Sequence, residues 1–184
     1  MAVRRIIRMG HPTLRQVAAP VDPDVLGEPA FQRLVEDMVD TLRDYGGVGL
    51  AAPQINEPVR LAVIEIPGGP TRYGEVPSMP LTAFVNPEVR VLDDAPNGVW
   101  EGCLSVPGLR GYVERPGHIE VSALNLAGQR ISLELKGFLA TVFQHEFDHL
   151  DGKLYIDRMA DTAKLMFDEE YLRYEAEPPA DPAA

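Results

Sequence analysis

A chain of 184 residues, 45% apolar and 24% charged, is long enough to bury the core of one domain and has the makeup of a globular protein. Its formal net charge of −11 argues against a broad electrostatic grip on nucleic acid or on an anionic membrane, and no run approaches the roughly 20 apolar residues of a membrane span. The single cysteine, Cys103, cannot close an internal disulfide, and no apolar stretch of signal-peptide length follows the basic N-terminus, so a cytoplasmic protein is expected.

The charge is uneven. Arg4, Arg5, Arg8 and Arg15 stand in the first 17 residues without an acid, whereas from Asp161 onward acids outnumber Lys164 and Arg173. Residues 8–12 read as an extended arm ending in a turn, and the prolines of 20–29 mark a loop. Phe31, Leu34, Val35, Met38, Val39 and Leu42 recur at spacings of three and four, which predicts an amphipathic helix from Ala30 to about Tyr45, stopped by Gly46 and Gly47. Residues 47–54 read as a glycine-rich apolar loop, 59–66 as a strand, and the proline- and glycine-rich 67–80 as a further loop.

Residues 81–92 predict a strand interrupted at Asn86-Pro87. Residues 111–115, 118–126 and 130–135 are β-rich, with 125–128 a hairpin connection. A second helix is expected from after Gly137 to about Leu150, capped by Asp151-Gly152. Residues 161–174 suggest a short third helix, and the Pro/Ala/acid-rich 175–184 a fraying tail. There is no internal repeat. The order implies a single α+β catalytic domain over 1–184, with mainly antiparallel sheets packed around a central metal-binding helix and a further helix near the N-terminus.

The chemistry concentrates in His145-Glu146-Phe147-Asp148-His149. Residues four apart share one face of a helix, so both imidazoles can reach one metal ion while Glu146 addresses a water beside it. A catalytic ion wants a third protein ligand. No histidine follows His149, which leaves carboxylates such as Asp157 or Glu169 downstream and Cys103 upstream. A lone cysteine is more often a small buried hydrophobe, although Gly102 beside it permits close backbone approach. The 47–54 segment lacks the Lys-Ser/Thr ending of a phosphate loop. Its small residues suit backbone approach to a substrate, and the Gln54 amide suits an oxyanion; a tight glycine turn is the plainer alternative.

Together, GVGLAAPQ at 47–54, EGCLS at 101–105 and QHEFDH at 144–149 resemble, complete and in order, the three segments of the peptide deformylases. The resemblance spans residues 4–160. It implies that Cys103, His145 and His149 bind a divalent metal, usually Fe²⁺, with Zn²⁺, Ni²⁺ or Co²⁺ as replacements. It implies release of formate from the N-terminal formylmethionine of new polypeptides, with Glu146 moving protons and the Gln54 amide and Leu104 backbone N–H holding the oxyanion. Val48 and Arg110 match family positions near the bound peptide, and Gly49 and Gly102 allow close approach. Phe138, Thr141 and Val142 precede His145 on its own helix face and are candidates for the methionine pocket, or for plain core packing. Asp148 is expected to orient the site through Arg115, or else to be a solvated acid. A general metalloprotease leaves the first two segments unexplained, whereas a non-catalytic metal binder leaves Glu146 without a role. The acidic tail does not support ribosome docking, and 67–80 reads as a lid or a loose loop.

Overall fold

The computed structural model describes residues 2–71 and 74–176. Helix α1 spans Pro29–Asp44, opened by a proline whose missing N–H costs nothing there, and it buries Phe31, Val35, Met38 and Leu42. Gly46, at φ 65°, turns the chain out of the helix in a conformation that other residues rarely adopt.

The expected loop at 47–54 is in part a strand. Strand β1 (Gly49–Ala51) pairs antiparallel with β2 (Leu61–Ile66), and a 3-10 turn covers Ala52–Ile55. Gly49-Leu50-Ala51 is an apolar run too short to show alternation, so only the pairing reveals the strand. Strand β2 is buried on both faces. Leu61 and Val63 pack into the cluster under α1, while Ala62 and Ile64 enter the cluster around helix α2 (Gly137–Leu150). That is why its sequence reads as a continuous apolar run rather than an alternating one.

Residues 67–80 are not featureless: β3 (Gly69–Thr71) and β4 (Gly74–Val76) form a small separate hairpin. Strand β5 then runs from Met79 to Cys103 without the expected break. Asn86 adopts φ 49° and the register shifts between Val85 and Glu88, so the chain bulges and resumes. The Asn86 amide fixes the bulge, donating to the Val21 carbonyl and accepting from its N–H, both at 2.8 Å. Strand β6 (Val106–Leu124) joins what reads as two β-rich segments, and β7 (Arg130–Lys136) follows the 125–128 turn. The sheet order is β1-β2-β5-β6-β7, antiparallel throughout.

Helix α2 is the apolar centre. Ala140, Val142, Phe143, Phe147 and Leu150 are buried, and the Phe143 ring meets Phe84 edge-on at 5.0 Å. Each such aromatic contributes about 1.5–3 kcal/mol by burial. The helix ends where Lys153 N–H reaches back to the Asp148 carbonyl at 2.9 Å and Gly152 takes φ 70°. The segment 161–174 is not one helix. It comprises a 3-10 turn, strand β8 (Leu165–Phe167) and helix α3 (Asp168–Tyr174), because β8 is captured by pairing with Leu109–Gly111 of β6. Of the expected fraying tail, 177–184 lies outside the described residues.

Candidate active site

Two long strands and one helix converge on a point. Strands β5 and β6 pair along most of their length, and the tight turn between them carries Cys103, Leu104 and Ser105. Helix α2 presents His145 and His149 one turn apart to the same place. The Cys103 Sγ lies 3.3 Å from His149 Nε2, and one ligand atom from each of Cys103, His145 and His149 lies within 4.8 Å of the others. His145 Nδ1 is taken by Glu101 Oε2 at 2.7 Å, leaving its Nε2 for the cluster. A thiolate and two imidazoles around one point, one ring oriented by a buried carboxylate, fit a divalent ion such as zinc or ferrous iron. Asp157 instead accepts from Leu154 N–H at 2.7 Å and pairs with Arg15, away from the cluster.

The electrostatics favour the ligand form of the cysteine. Burial alone pushes the Cys103 thiol up, but His149 and His145 outweigh it and bring it down to about 5. Ser105 N–H also points at the sulfur, at 3.4 Å. Burial lowers the His145 value, but Cys103 and Glu101 outweigh it and hold the ring well above an ordinary histidine.

Glu146 sits beside the cluster, buried, with its Oε2 making no hydrogen bond. Burial raises its pKa above the usual carboxylate range. Its place exists because position 49 is glycine: a Cβ there would lie 2.6 Å from the Glu146 carboxylate. Gln54 comes from the turn after β1. Its Oε1 accepts from Ala51 N–H at 2.8 Å, so its amide NH₂ faces Ser105 Oγ at 3.3 Å and Cys103 Sγ at 3.6 Å.

Behind the cluster runs a buried ionic chain. Arg115 of β6 donates to Glu101 at 2.6 and 3.0 Å and to Asp148 at 2.7 Å, and Arg158 donates to Asp148 at 3.0 Å. Burial raises the Glu101 carboxyl, but His145 and Arg115 hold it below its ordinary range. Asp148 is likewise held low, by Arg158 and Arg115 against burial. The expected Arg115–Asp148 pair is therefore present, and Asp148 is buried rather than solvated. Sequence reasoning did not single out Glu101, Arg158 or Tyr155, whose ring stacks on His145 at 6.1 Å. Glu101 had a signal: an acid heading a segment that carries a metal-ligand candidate has a partner to serve.

A cavity of about 630 Å³ opens in front of the cluster. Val48, Gly49, Gly102, Leu104, Phe138, Thr141 and Val142 all line it, as does Arg110. Gly102 has a reason other than approach to the metal: a Cβ there would lie 2.8 Å from the Arg110 guanidinium. Arg110 is no loose surface arginine, since Asp168 of α3 holds it at 2.7 Å. The sequence marks an extended arm at residues 8–12 but not its contact with the site. The N-terminal arm is part of the site, with Ile7 N–H bonded to the Gln54 carbonyl at 2.9 Å and Met9 N–H to the Ser105 carbonyl at 2.7 Å.

Residues 3–165 match the family model described as polypeptide deformylase. The chain is 45% identical over 170 residues to peptide deformylase 1 of Prochlorococcus marinus, covering 92% of this chain and 88% of the relative. It is 44% identical to peptide deformylase 1 of Bordetella pertussis, covering 97% and 99%. Among solved structures, the Met-Ala-Ser-bound class I type b peptide deformylase of Acinetobacter baumannii superposes with a TM-score of 0.80 at 35% identity, covering 86% of this chain and 99% of that one. The Thermotoga maritima peptide deformylase gives 0.75 at 38% identity, covering 88% and 100%.

Proposed function

The chain belongs to the peptide deformylase family, hydrolases that remove the N-formyl group from newly made polypeptides, and we propose that its reaction runs between Glu146, Gln54 and Leu104 beside an ion held by Cys103, His145 and His149. The observation that carries this reading is the buried Glu146 carboxylate, its Oε2 without a hydrogen-bond partner, next to a Cys-His-His cluster at the wall of a cavity.

A divalent ion, Fe²⁺ in the first instance with Zn²⁺, Ni²⁺ or Co²⁺ as substitutes, supplies Lewis acidity and an acidified water. Glu146 accepts a proton from the water whose oxygen bonds to the formyl carbon. Its raised pKa suits a group that must take a proton and later return it. The carbonyl electrons move onto oxygen, where the Gln54 amide and the Leu104 backbone N–H donate to it. One such donor is typically worth about 10²–10³ in turnover. The C–N bond then breaks as Glu146 hands its proton to the departing amine, leaving formate and a free amino terminus.

Val48, Phe138 and Val142 supply apolar wall for the methionine side chain, with Thr141 beside them. Thr141 Oγ1 accepts from Asn97 Nδ2 at 3.1 Å, which ties it to β5. Gly49 and Gly102 line the same cavity and act by leaving room for Glu146 and Arg110, and Arg110 meets the downstream part of the peptide. The substrates are N-formylmethionyl peptides emerging from the ribosome in the cytoplasm; the acidic C-terminal residues offer no support for docking on ribosomal RNA. No helix among the described residues is long and apolar enough to cross a membrane.

Anaerobic purification with metal analysis tests the reading, together with formate release from formyl-Met-Ala-Ser and cleavage of an unformylated peptide. Stoichiometric metal with formate release is expected. Metal without formate release, under conditions that preserve Fe²⁺, would sink it.

A further inference from the structure

The mouth of the cavity carries cations for which the reaction has no use. The arm leading to it is fixed at several points. Arg4 pairs with Glu57 at 2.8 Å and with Asp37 at 3.4 Å, Ile6 is buried in the α1 core, and the Ile7 and Met9 N–H groups are bonded to Gln54 and Ser105. Gln54 and Ser105 are the two residues whose side chains meet beside Cys103. The backbone of the arm is thus held by the site itself. Between those anchors Arg5 and Arg8 stay exposed and both line the cavity. Neither has a side-chain hydrogen bond or ion pair among the described residues, in contrast to Arg4, Arg110 and Arg115.

Two cations with no side-chain partner among the described residues, on a fixed backbone and on a protein of net charge −11, stand on the cavity that leads to the cluster, where the lining acids Glu101 and Asp168 are already paired with Arg115 and Arg110. We propose that Arg5 and Arg8 form a carboxylate-binding rim that favours formylated peptides with an acidic side chain, or a free C-terminal carboxylate, shortly after the methionine. The inference rests on this cavity being where formylated peptides react. A nucleic-acid partner is disfavoured, because the arginines face the cavity and the remaining charge is repulsive to phosphate. An extended peptide advances about 3.3–3.6 Å per residue, so a rim reached by an arginine side chain reads the positions just beyond the second residue.

The test compares kcat/KM of the holoenzyme on formyl-Met-Ala-Xaa-Ser-amide peptides with Xaa as Glu, Gln or Lys, and on the same set with Xaa and Ser exchanged. The Gln peptide is also made as a free acid, to separate a terminal carboxylate from an acidic side chain. Two exposed ion pairs predict a Glu-over-Lys preference of about threefold to tenfold at low ionic strength. The preference should shrink near 0.5 M salt, where the screening length falls to roughly 4 Å. In the R5Q/R8Q double variant the Glu-to-Lys ratio should fall to about one. Equal rates for Glu and Lys in the wild type at both positions, or a ratio that survives R5Q/R8Q, would overturn the rim. If no peptide is turned over, the deformylation reading fails instead. The affinity ordering of the unformylated Met-Ala-Glu-Ser-amide and Met-Ala-Lys-Ser-amide peptides, measured by calorimetry, then decides the rim on its own, since equal affinities would overturn it.

Discussion

Replacing Gly49 by alanine adds one methyl group where the Glu146 carboxylate already sits. The glycine does not occupy the left-handed region, so alanine is acceptable to the backbone and the effect is one of space alone. The new Cβ would lie 2.6 Å from Glu146 Cγ, Cδ and Oε1, against ordinary contact at 3.4–4 Å. The carboxylate must therefore retreat by about 0.8 to 1.4 Å, the difference between those distances. A displacement of about 1 Å in a group that must meet a proton in flight costs on the order of 10²-fold in rate, or ~2.7 kcal/mol of barrier. Overpacking should also lower stability by about 1–3 kcal/mol. The assay is formate release from formyl-Met-Ala-Ser by Gly49→Ala at matched metal content, with folding checked by circular dichroism and urea titration. A fall of about a hundredfold in kcat with metal retained is expected. A variant turning over within about threefold of wild type would show that the Glu146 carboxylate need not occupy this position during the reaction.

Further outcomes follow from the same geometry. Glu146→Ala should abolish turnover while metal content by atomic spectroscopy stays at wild-type level, because Glu146 lies beside the ligand cluster rather than in it. Cys103→Ala should lose the metal on dialysis; retention with full activity would show that the third ligand is another residue. Asp148→Asn tests the ionic chain through pH. Arg158 and Arg115 hold the folded carboxyl below its unfolded value of about 3.9, so its contribution is complete above that pH and is lost as pH falls through the lowered folded value. With metal chelated in both proteins, urea titrations should show Asp148→Asn less stable by about 3–5 kcal/mol near neutral pH. That gap should begin to narrow as pH falls below about 3.9, and a gap that widens on acidification would contradict the assigned sign.

The sequence carried what repeats along a helix and what is local to a motif. Helix α1 and helix α2 announce themselves through their spacing and glycine stops, and His145, Glu146 and His149 lie within one turn of α2. Strand β1 was hidden because three consecutive apolar residues have no period of their own, and β8 because its pairing with Leu109–Gly111 outweighs its own leaning toward a helix. The break expected at Asn86-Pro87 is a bulge, since an asparagine can enter the left-handed region and tie its amide to Val21, a residue distant in the chain. Glu101 stood beside a ligand candidate and so had a local signal, but its partners His145 and Arg115, like the Asp148 that faces Arg158, are met only across the fold. Gly102 illustrates the limit well: glycine was a sound reading, but the group that needs its space is Arg110.

The docked arm separates two properties that are usually lost together, being folded and being competent. Residues 4–9 belong to no helix or sheet of the domain, yet their backbone holds the two loops that carry Gln54 and Ser105. The Ile7 and Met9 hydrogen bonds, the Arg4 N–H bond to Thr41 Oγ1, the part-exposed Arg4 ion pairs and one buried isoleucine are few anchors beside those of the sheet, a tether of the kind that opens at a free energy below that of the whole domain. A molecule whose arm has lifted keeps its sheet, its central helix and its Cys103-His145-His149 cluster, while the Gln54 turn and the Ser105 turn lose their common brace. Mild denaturant should therefore silence the enzyme before it unfolds it, and amide exchange at Ile7 and Met9 should be faster than in α2.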